Sequence, residues 1–353
     1  MNALAPAETL WRAMTPTRML DCGMDYADIL ELQTLTGAGI AWDVAAEELG
    51  DRQRARARAA AEAGRVVTAE EAYLAATACY LFAQMAYNFD GPRKRELYTR
   101  LTDAFEAAGA SRNPRWEHVG IPFAGGRLFG WLIRPPSPVT GTVVVFGGQS
   151  GWGPAYVRQA EALNRRGLAA LLAEGPGQGE SRLEGGVLLD VDVRAAYSAF
   201  VDHVLARGGL GPVGLWGNSN GGLFAGTTAA SDRRVAAVCV NGGPARPRLL
   251  DFRTYAEQAA AMLGTTDTDA IRRNFDRIAL KPEDRIDCPV LVLHGGRDPI
   301  VAEADQKPFL DAATHDDTTL RIWDDGEHTI YNHATERTAY VADWFADRLA
   351  RRD

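Results

Sequence analysis

The chain has 353 residues, of which 46% are hydrophobic and 24% are charged, which is ordinary for a globular protein with a main domain and an accessory element. Its formal net charge is -8, so it lacks the basic excess with which nucleic-acid-binding proteins neutralise phosphates. No apolar run approaches the roughly 18 residues that a membrane span needs. We therefore expect neither a nucleic-acid partner nor a membrane span.

The cysteines and histidines also exclude some classes of protein. The four cysteines lie far apart and form no CxxC pair, so a disulfide framework is not expected and a reducing cytoplasm is favoured. The six histidines lack the spacing of zinc ligands. The N-terminus has no signal-peptide pattern. We expect a cytoplasmic protein that needs no metal and no cofactor.

Residues 1–112 are predicted to form a helical N-terminal cap domain, because helical periodicity dominates there. One helix is predicted over 68–87, where Thr68 and Glu71 have the spacing of a capping box. A second helix is predicted over 94–108. Apolar faces on these helices make a homodimer a reasonable expectation.

Two tyrosines of the first predicted helix are candidate substrate-binding residues. Tyr80 and Tyr87 lie seven residues apart, so they share one face of the helix. That face could border a substrate cavity. Plain packing in a helical core is the alternative interpretation.

Residues 113–353 are predicted to form a catalytic domain, in which short β-rich runs alternate with helical runs. Strands separated by helices indicate an α/β fold with a doubly wound, mostly parallel sheet. The polar, helical stretch 244–285 is a possible second cap insertion. The predicted strands cover residues 117–122, 127–133, 142–146, 168–173, 213–216, 235–240, 290–293 and 319–323.

The strongest motif is Gly217-Asn218-Ser219-Asn220-Gly221, which fits the G-x-S-x-G pattern of a nucleophile elbow. It follows an apolar strand and precedes a helical run, which is the context that gives the pattern meaning. The glycines permit a strained turn that lifts the serine off the edge of the sheet. The motif therefore predicts an α/β-hydrolase fold with Ser219 as the nucleophile.

A serine nucleophile needs a base, and that base needs an orienting acid. Asp298 follows one predicted strand and His328 follows the last, which gives the chain order Ser, Asp, His that this fold uses. We predict that these two residues complete a catalytic triad. Other residues could compete for the two roles but are weaker candidates: His294, His333, Asp324 and Asp325.

The glycine-rich loop over 146–153 follows the third predicted strand and is a candidate oxyanion loop. An oxyanion hole needs two preorganised N–H donors. We predict the N–H of Asn220, next to the nucleophile, and that of Gln149, with Gly148 as the second choice for the loop donor. Trp152 is a candidate substrate contact, or else a residue that packs at the rim. The loop lacks the G-x-G-x-x-G spacing of dinucleotide sites.

The segment Glu174-Gly-Pro-Gly-Gln-Gly-Glu-Ser181 follows the fourth predicted strand. We interpret it as a structural support beneath the catalytic loops. A direct catalytic role for Glu174 or Glu180 is the less favoured alternative.

These motifs together resemble the FrsA-like branch of the α/β-hydrolases. Those that carry the resemblance are the Gly-Gly turn, the 174–181 segment, the serine elbow and the sequence His-Gly-Gly-Arg-Asp. The stretch 71–84 is similar to the helical cap of 2,6-dihydroxypseudooxynicotine hydrolases and of fungal polyketide-shortening hydrolases. The resemblance implies hydrolysis of a carbon–carbon bond beside a ketone. The chain departs from the family pattern at Asn218 and Asn220, so these two residues are expected to influence substrate specificity.

The leading hypothesis is a serine hydrolase that cleaves a C–C bond in a small aromatic or polyketide-like ketone of the 1,3-diketone type. Attack on one carbonyl expels an enolate, which the second carbonyl stabilises and His328 can protonate. The alternatives are a carboxylesterase, or an acyl-transfer or cyclisation enzyme of secondary metabolism, with the same triad. A non-catalytic binding protein on this scaffold is a further alternative from a different class.

Overall fold

The computed structural model describes Leu4, residues 6–149 and residues 151–350. The chain divides into two compact units, Met1–Trp116 and Glu117–Asp353. Within the described residues, no helix is both long enough and apolar enough to cross a membrane.

The regular elements in the described part of the first unit are helices. Its helices are α1 (Ala7–Ala13), α2 (Pro16–Asp21), α3 (Tyr26–Gly37), α4 (Trp42–Glu62), α5 (Val66–Met85) and α6 (Pro92–Ala110). Small side chains let α5 approach its neighbours closely, since a Cβ on Gly50 of α4 would lie 2.6 Å from the ring of Tyr80. The boundary between the units follows Trp116 rather than residue 112, because the Trp116 ring packs against Phe105 of α6 with 4.7 Å between ring centroids.

The capping box predicted at Thr68 is wrong. Helix α5 begins two residues earlier, at Val66, and its N-cap residue Arg65 makes no side-chain cap hydrogen bond. The chain leaves α4 through Gly64, whose φ of +70° completes the turn and lets the next helix begin at once. Thr68 therefore lies inside the first turn of the helix.

In its described residues the second unit is built on one sheet of eight strands, and all eight predicted strands are confirmed. They are β1 (Glu117–Phe123), β2 (Gly126–Ile133), β3 (Gly141–Phe146), β4 (Leu168–Glu174), β5 (Val213–Asn218), β6 (Val235–Asn241), β7 (Val290–Gly295) and β8 (Thr318–Trp323). Their order across the sheet is β1-β2-β4-β3-β5-β6-β7-β8. The pairs β1–β2 and β2–β4 are antiparallel and the other pairs are parallel.

Every residue of β3, β4, β5 and β7 is buried, as expected of parallel strands with helices on both faces. The helices of this unit are α7 (Val157–Asn164), α8 (Gly179–Leu183), α9 (Val193–Ala206), α10 (Asn220–Ala229), α11 (Arg253–Leu263), α12 (Thr268–Ile278), α13 (Glu303–Ala312) and α14 (Ala334–Leu349). The loops that follow β3, β5, β7 and β8 leave the sheet at the same edge, because parallel strands share the direction of their carboxyl ends.

The stretch 244–285, predicted as an insertion, contains α11 and α12. Helix α12 buries Ile271 and Phe275 on one face. The Nδ2 atom of Asn274 donates a hydrogen bond to the carbonyl of Leu189, at 2.9 Å. The insertion is therefore packed onto the catalytic unit. Its role as a second cap stays a prediction.

Candidate active site

Ser219 lies in a strained turn between β5 and α10. Its φ of 56° and ψ of -133° fall in a region that L-residues rarely adopt. A Cβ on Gly217 would lie 1.9 Å from the carbonyl oxygen of Gly221, so only glycine fits at that position. The Ser219 N–H donates to the carbonyl of Asn241 at the end of β6, at 2.8 Å, which braces the turn.

The structure brings Ser219, Asp298 and His328 together in one hydrogen-bonded chain. The Nε2 atom of His328 lies 2.9 Å from Oγ of Ser219. Its Nδ1 atom lies 2.7 Å from Oδ2 of Asp298. With the proton on Nδ1, the imidazole can accept the serine proton at Nε2, and the buried carboxylate fixes that tautomer.

The Asp298 carboxylate is held by groups that favour its charged form. Its side chain has no exposed surface, and Oδ1 accepts hydrogen bonds from the N–H groups of Ile300 at 2.8 Å and Val301 at 3.0 Å. Burial acts to raise the pKa of Asp298, but the hydrogen bond and charge of His328 and the two N–H groups outweigh it and lower this pKa below its ordinary value. The group is therefore a carboxylate at neutral pH.

The loop that carries His328 is also strained and is braced from behind. Thr329 and Ile330 both have positive φ, 53° and 63°, although neither is glycine. The carbonyl of Thr329 accepts hydrogen bonds from Nη1 of the buried Arg337, at 2.9 Å, and from Nδ2 of Asn241, at 3.2 Å. Asn241 therefore contacts both the serine turn and the histidine loop.

The loop after β3 approaches the serine turn closely. A Cβ on Gly148 would lie 2.4 Å from the backbone nitrogen of Asn220. Within the described parts of the chain, neither the N–H of Asn220 nor that of Gln149 donates to a protein acceptor. Asn220 is the first residue of α10, where N–H groups have no partner within the helix and favour negative charge.

Comparisons with known proteins agree with this architecture. The chain is 25% identical over 344 residues to 2,6-dihydropseudooxynicotine hydrolase of Paenarthrobacter nicotinovorans, a match that covers 94% of this chain and 91% of the relative. It is 31% identical over 218 residues to alpha/beta hydrolase gkaG of Penicillium citrinum, covering 58% of this chain and 51% of that one. The sequence model of the family described as "Serine aminopeptidase, S33" matches residues 271–335 of this chain.

Similarity of structure extends over most of the chain. The crystal structure of a 2,6-dihydroxy-pseudo-oxynicotine hydrolase matches with a TM-score of 0.84 at 22% identity, over 94% of this chain and 95% of that one. The chain has the α/β-hydrolase fold. The resemblance to the pseudooxynicotine hydrolase branch that the motifs predicted is therefore confirmed.

The 174–181 segment of the second unit holds the loop after β3 through Gln178. The Nε2 atom of Gln178 donates to the carbonyls of Gly147 and Gly148, at 2.6 and 2.7 Å. Its Oε1 atom accepts from the N–H of Gly175, at 2.9 Å, and from the hydroxyl of Tyr197, at 3.2 Å. Because these bonds turn two carbonyls of the loop towards Gln178, they fix the direction of the neighbouring peptide groups.

Replacing Gln178 by glutamate is expected to lower kcat about 10²-fold, the effect of a shift of about 1 Å in a catalytic group. A carboxylate at this position would face two carbonyl oxygens and repel them. The measurement is kcat together with the melting temperature. Gln306→Glu is the matched control, because Gln306 is buried in the same unit and also donates to a carbonyl, that of Leu293. Equal losses of kcat in both variants would contradict the assignment.

Glu174 and Glu180 make contacts that support the loops. The Glu174 carboxylate is buried and accepts from the N–H of Gly153, at 2.7 Å, and from that of Glu180, at 2.6 Å. The Glu180 carboxylate pairs with His118, with 2.8 Å between Nε2 and Oε2. These bonds connect the segment to the start of the turn that follows Trp152.

The prediction that both asparagines of the elbow influence specificity is wrong for Asn218. Its side chain is buried, and its Oδ1 atom accepts from Nδ2 of Asn241, at 2.8 Å. Its Nδ2 atom donates to the carbonyl of Phe146, at 3.4 Å. The two hydrogen bonds hold the Asn218 side chain against the carboxyl ends of the neighbouring strands β3 and β6.

Asn220, on the other side of the nucleophile, belongs to a polar cluster that sequence reasoning did not find. Its Nδ2 atom lies 3.4 Å from Oε1 of Gln149. Its amide also lies near the phenol of Tyr255 in α11, where it partly offsets the effect of burial on the pKa of that phenol. Tyr255 also accepts a hydrogen bond from Nε2 of Gln149 at its backbone carbonyl. The only signal in the sequence was the helical character of 244–285, which does not tell which residue meets the elbow.

The three predicted substrate-binding residues have these surroundings. Tyr80 is fully buried, and its hydroxyl lies 2.5 Å from Oδ1 of Asp51 in α4. The Tyr87 hydroxyl lies 3.0 Å from Oδ2 of Asp43; burial, followed by this carboxylate, raises the pKa of Tyr87 to about 12. Trp152 is buried, with the guanidinium of Arg182 5.8 Å from its ring centroid. Packing accounts for all three residues, and their contact with substrate stays a prediction.

The competing histidines and acid have partners of their own. The Nδ1 atom of His294 lies 2.8 Å from Oε1 of Gln306. His333 pairs through Nε2 with Oδ1 of Asp325, also at 2.8 Å. Among the described residues, no group of three or more His, Cys, Asp or Glu side chains is arranged to hold a metal ion.

Proposed function

We propose that Ser219, Asp298 and His328 are the catalytic triad of a hydrolase that cleaves a C–C bond in a small aromatic or polyketide-like ketone of the 1,3-diketone type. The observation that carries the triad is the pair of hydrogen bonds at 2.9 and 2.7 Å that joins the serine hydroxyl to a buried carboxylate through one imidazole. The similarity to 2,6-dihydropseudooxynicotine hydrolase over 94% of the chain supports a ketone substrate.

The first step forms an acyl-enzyme. Oγ of Ser219 attacks one carbonyl carbon while Nε2 of His328 takes the hydroxyl proton. The carbonyl oxygen becomes an alkoxide and is stabilised by the N–H groups of Asn220 and Gln149, with Gly148 as the second choice for the loop donor. When the alkoxide collapses, the bond to the central carbon breaks and its electron pair forms an enolate with the second carbonyl.

The second step releases the acid. The imidazolium of His328 gives its proton to the central carbon of the enolate, which leaves as a ketone. The neutral imidazole then takes a proton from water, whose oxygen attacks the acyl-enzyme. Collapse of this second tetrahedral adduct returns the proton to Oγ of Ser219 and releases a carboxylic acid, so one water is consumed for each C–C bond cleaved.

The test combines labelling with product analysis. Purified protein is treated with a fluorophosphonate, and the adduct is located by peptide mass spectrometry; we expect it on Ser219. The same protein is incubated with benzoylacetone, and we expect acetic acid and acetophenone, or benzoic acid and acetone, in equal amounts. Labelling without any cleavage of diketones, but with hydrolysis of phenyl acetate, would support the carboxylesterase alternative. An ester product formed only with an added alcohol would support the acyl-transfer alternative.

We also propose a cytoplasmic enzyme that acts as a homodimer, with a small molecule as its partner and no nucleic acid or membrane. The four cysteines are all free, which supports a reducing compartment. Exposed apolar side chains on α3 and α4 and in the turn between them support an interface there: Tyr26, Leu30, Ile40 and Val44. Light scattering after size-exclusion chromatography tests the dimer, and a mass of 38.2 kDa would contradict it.

A further inference from the structure

A polar cluster lies beside the proposed nucleophile and joins three separate segments of the catalytic unit. It consists of Gln149 from the loop after β3, Asn220 from the elbow and Tyr255 from α11 of the insertion. The Asn220 amide contacts both of the other residues. Because Asn220 directly follows Ser219, anything bound at the serine must pass close to this cluster.

The position of Tyr255 is fixed by its own surroundings. The residue is 9% exposed. Its backbone carbonyl accepts a hydrogen bond from the Gln149 side chain. Its ring packs against Phe252, with 5.4 Å between ring centroids. The phenol is therefore presented to the elbow by a braced helix rather than by a loose loop.

The hydroxyl of Tyr255 is a hydrogen-bond donor without a protein acceptor in the described residues. The neighbouring Asn220 amide acts to lower the pKa of Tyr255, so its N–H side faces the phenolic oxygen and the phenolic hydrogen is left for another group. Burial raises the pKa of Tyr255, and the Asn220 amide only partly offsets this. The phenol therefore stays protonated at and above neutral pH.

We propose that the Tyr255 hydroxyl donates a hydrogen bond to the second carbonyl oxygen of a 1,3-dicarbonyl substrate, and so stabilises the enolate that leaves when the C–C bond breaks. This inference rests on the proposed function and deepens it. The bond between the attacked carbon and the central carbon breaks, and its electron pair becomes the enolate. The enolate oxygen accepts the Tyr255 hydrogen bond while His328 delivers the proton to the central carbon. Tyr255 itself loses no proton.

The proposal separates two substrate classes. In a 1,3-diketone, negative charge develops on the oxygen of the second carbonyl, which is separated from the attacked carbon by two carbon atoms. A hydrogen-bond donor in addition to His328 is required at that oxygen. In an ester, charge develops on the oxygen bonded to the attacked carbon, and His328 protonates that oxygen directly. Tyr255 is therefore a specificity-determining residue for C–C cleavage and contributes little to ester cleavage.

Tyr255→Phe tests this with benzoylacetone and phenyl acetate, which give the same acetyl-enzyme when Ser219 attacks the acetyl carbonyl of the diketone. We expect kcat/KM for the diketone to fall about 10²-fold, the effect of removing one donor to a developing oxyanion. The loss should be in kcat, since the charge exists only in the transition state. For phenyl acetate the change should stay below about 3-fold. Tyr340→Phe is the matched control, because that ring packs against Trp323 away from the cluster, and neither rate should change.

Two outcomes would overturn the role of Tyr255 while the proposed function stands. One is an equal loss on both substrates, which would indicate that the phenol only positions Asn220. The other is no loss on either. Titration with a fluorophosphonate gives the concentration of active serine in each variant, so that rates are compared per active site.

A binding measurement keeps the proposal falsifiable if diketones are not turned over. Ser219→Ala protein is mixed with benzoylacetone, and the ultraviolet absorbance of the bound enol is recorded with and without Tyr255→Phe. A spectral shift that requires Tyr255, in an enzyme that cleaves only esters, would support the contact while the proposed C–C activity fails. If neither variant binds the diketone, both proposals are wrong.

Discussion

Replacing Ser219 by alanine is expected to lower kcat about 10⁵- to 10⁶-fold for every substrate that the enzyme cleaves, the loss typical when a catalytic serine is removed. Without the hydroxyl no acyl-enzyme can form, and only binding and the oxyanion donors continue to favour the reaction. The strained φ of 56° is not relieved by alanine, because alanine also carries a Cβ. The variant should therefore keep the fold. Steady-state kinetics with a diketone and an ester measure the loss.

The control is Ser231→Ala. Ser231 lies just beyond the far end of α10, and among the described residues its hydroxyl hydrogen-bonds to backbone carbonyls of that helix, those of Thr227 and Thr228. The kcat of the Ser231→Ala variant should equal that of the unmodified enzyme. A Ser219→Ala protein that keeps more than about 1% of kcat, or still binds a fluorophosphonate at another serine, would require a different nucleophile.

The proposed triad could be found from the sequence because each member is adjacent to a strong local signal. Ser219, Asp298 and His328 follow β5, β7 and β8. The first two strands are apolar runs, and all three end in glycine- or acid-rich turns. Parallel strands bring their carboxyl ends to one edge. Local pattern and one topological rule were sufficient.

The contacts around the triad could not be found in this way, because they join residues that no local pattern connects. Asn241 bonds to Asn218, and Gln149 meets α11 across more than 100 positions of sequence. A side-chain amide has no preferred partner in the sequence alone. Its direction depends on which strand lies beside it, and Asn218 was misassigned for that reason.

The helical unit was the least predictable part. Helix α4 was not predicted, although it supplies the carboxylates that meet Tyr80 and Tyr87. A seven-residue spacing places two tyrosines on one face of a helix, but it does not tell whether that face meets another helix or a cavity. The packing partner is decided by side chains at long sequence distance.

The strained backbone of the candidate site lies where buried side chains hold it in place by hydrogen bonds. Ser219, Thr329 and Ile330 all have positive φ, and Asn241 bonds to the first two of these residues, through its backbone carbonyl and its side-chain amide respectively. One buried asparagine therefore fixes the distance between the serine turn and the histidine loop. Strained backbone persists at functional sites only where the surroundings over-determine it, and Asn241 together with Arg337 meets that condition here.

Replacing Asp298 by asparagine is expected to lower kcat about 10⁴-fold, the loss seen when a triad acid becomes an amide. The oxygen of the amide would stay where Oδ1 accepts from the N–H groups of Ile300 and Val301. Its NH₂ group would then replace Oδ2 and face Nδ1 of His328. A donor at that position forces Nδ1 to accept, so the proton moves to Nε2 and the imidazole can no longer take the serine proton. The measurement is kcat at neutral pH.

Asp325→Asn is the matched control, since Asp325 pairs with His333 and was the competing acid in the same region. It should leave kcat within about 3-fold, and a larger loss there with a small loss in Asp298→Asn would exchange the two assignments.

The stability of the Asp298→Asn variant as a function of pH gives an independent test. Because the folded-state pKa of Asp298 is lowered, its carboxylate stabilises the fold above the unfolded-state pKa of about 3.9. That contribution is lost as pH falls through the folded-state pKa. The melting-temperature difference between the unmodified enzyme and Asp298→Asn should therefore be constant near neutrality and shrink below about pH 4, since a protonated carboxyl and an amide are then both uncharged.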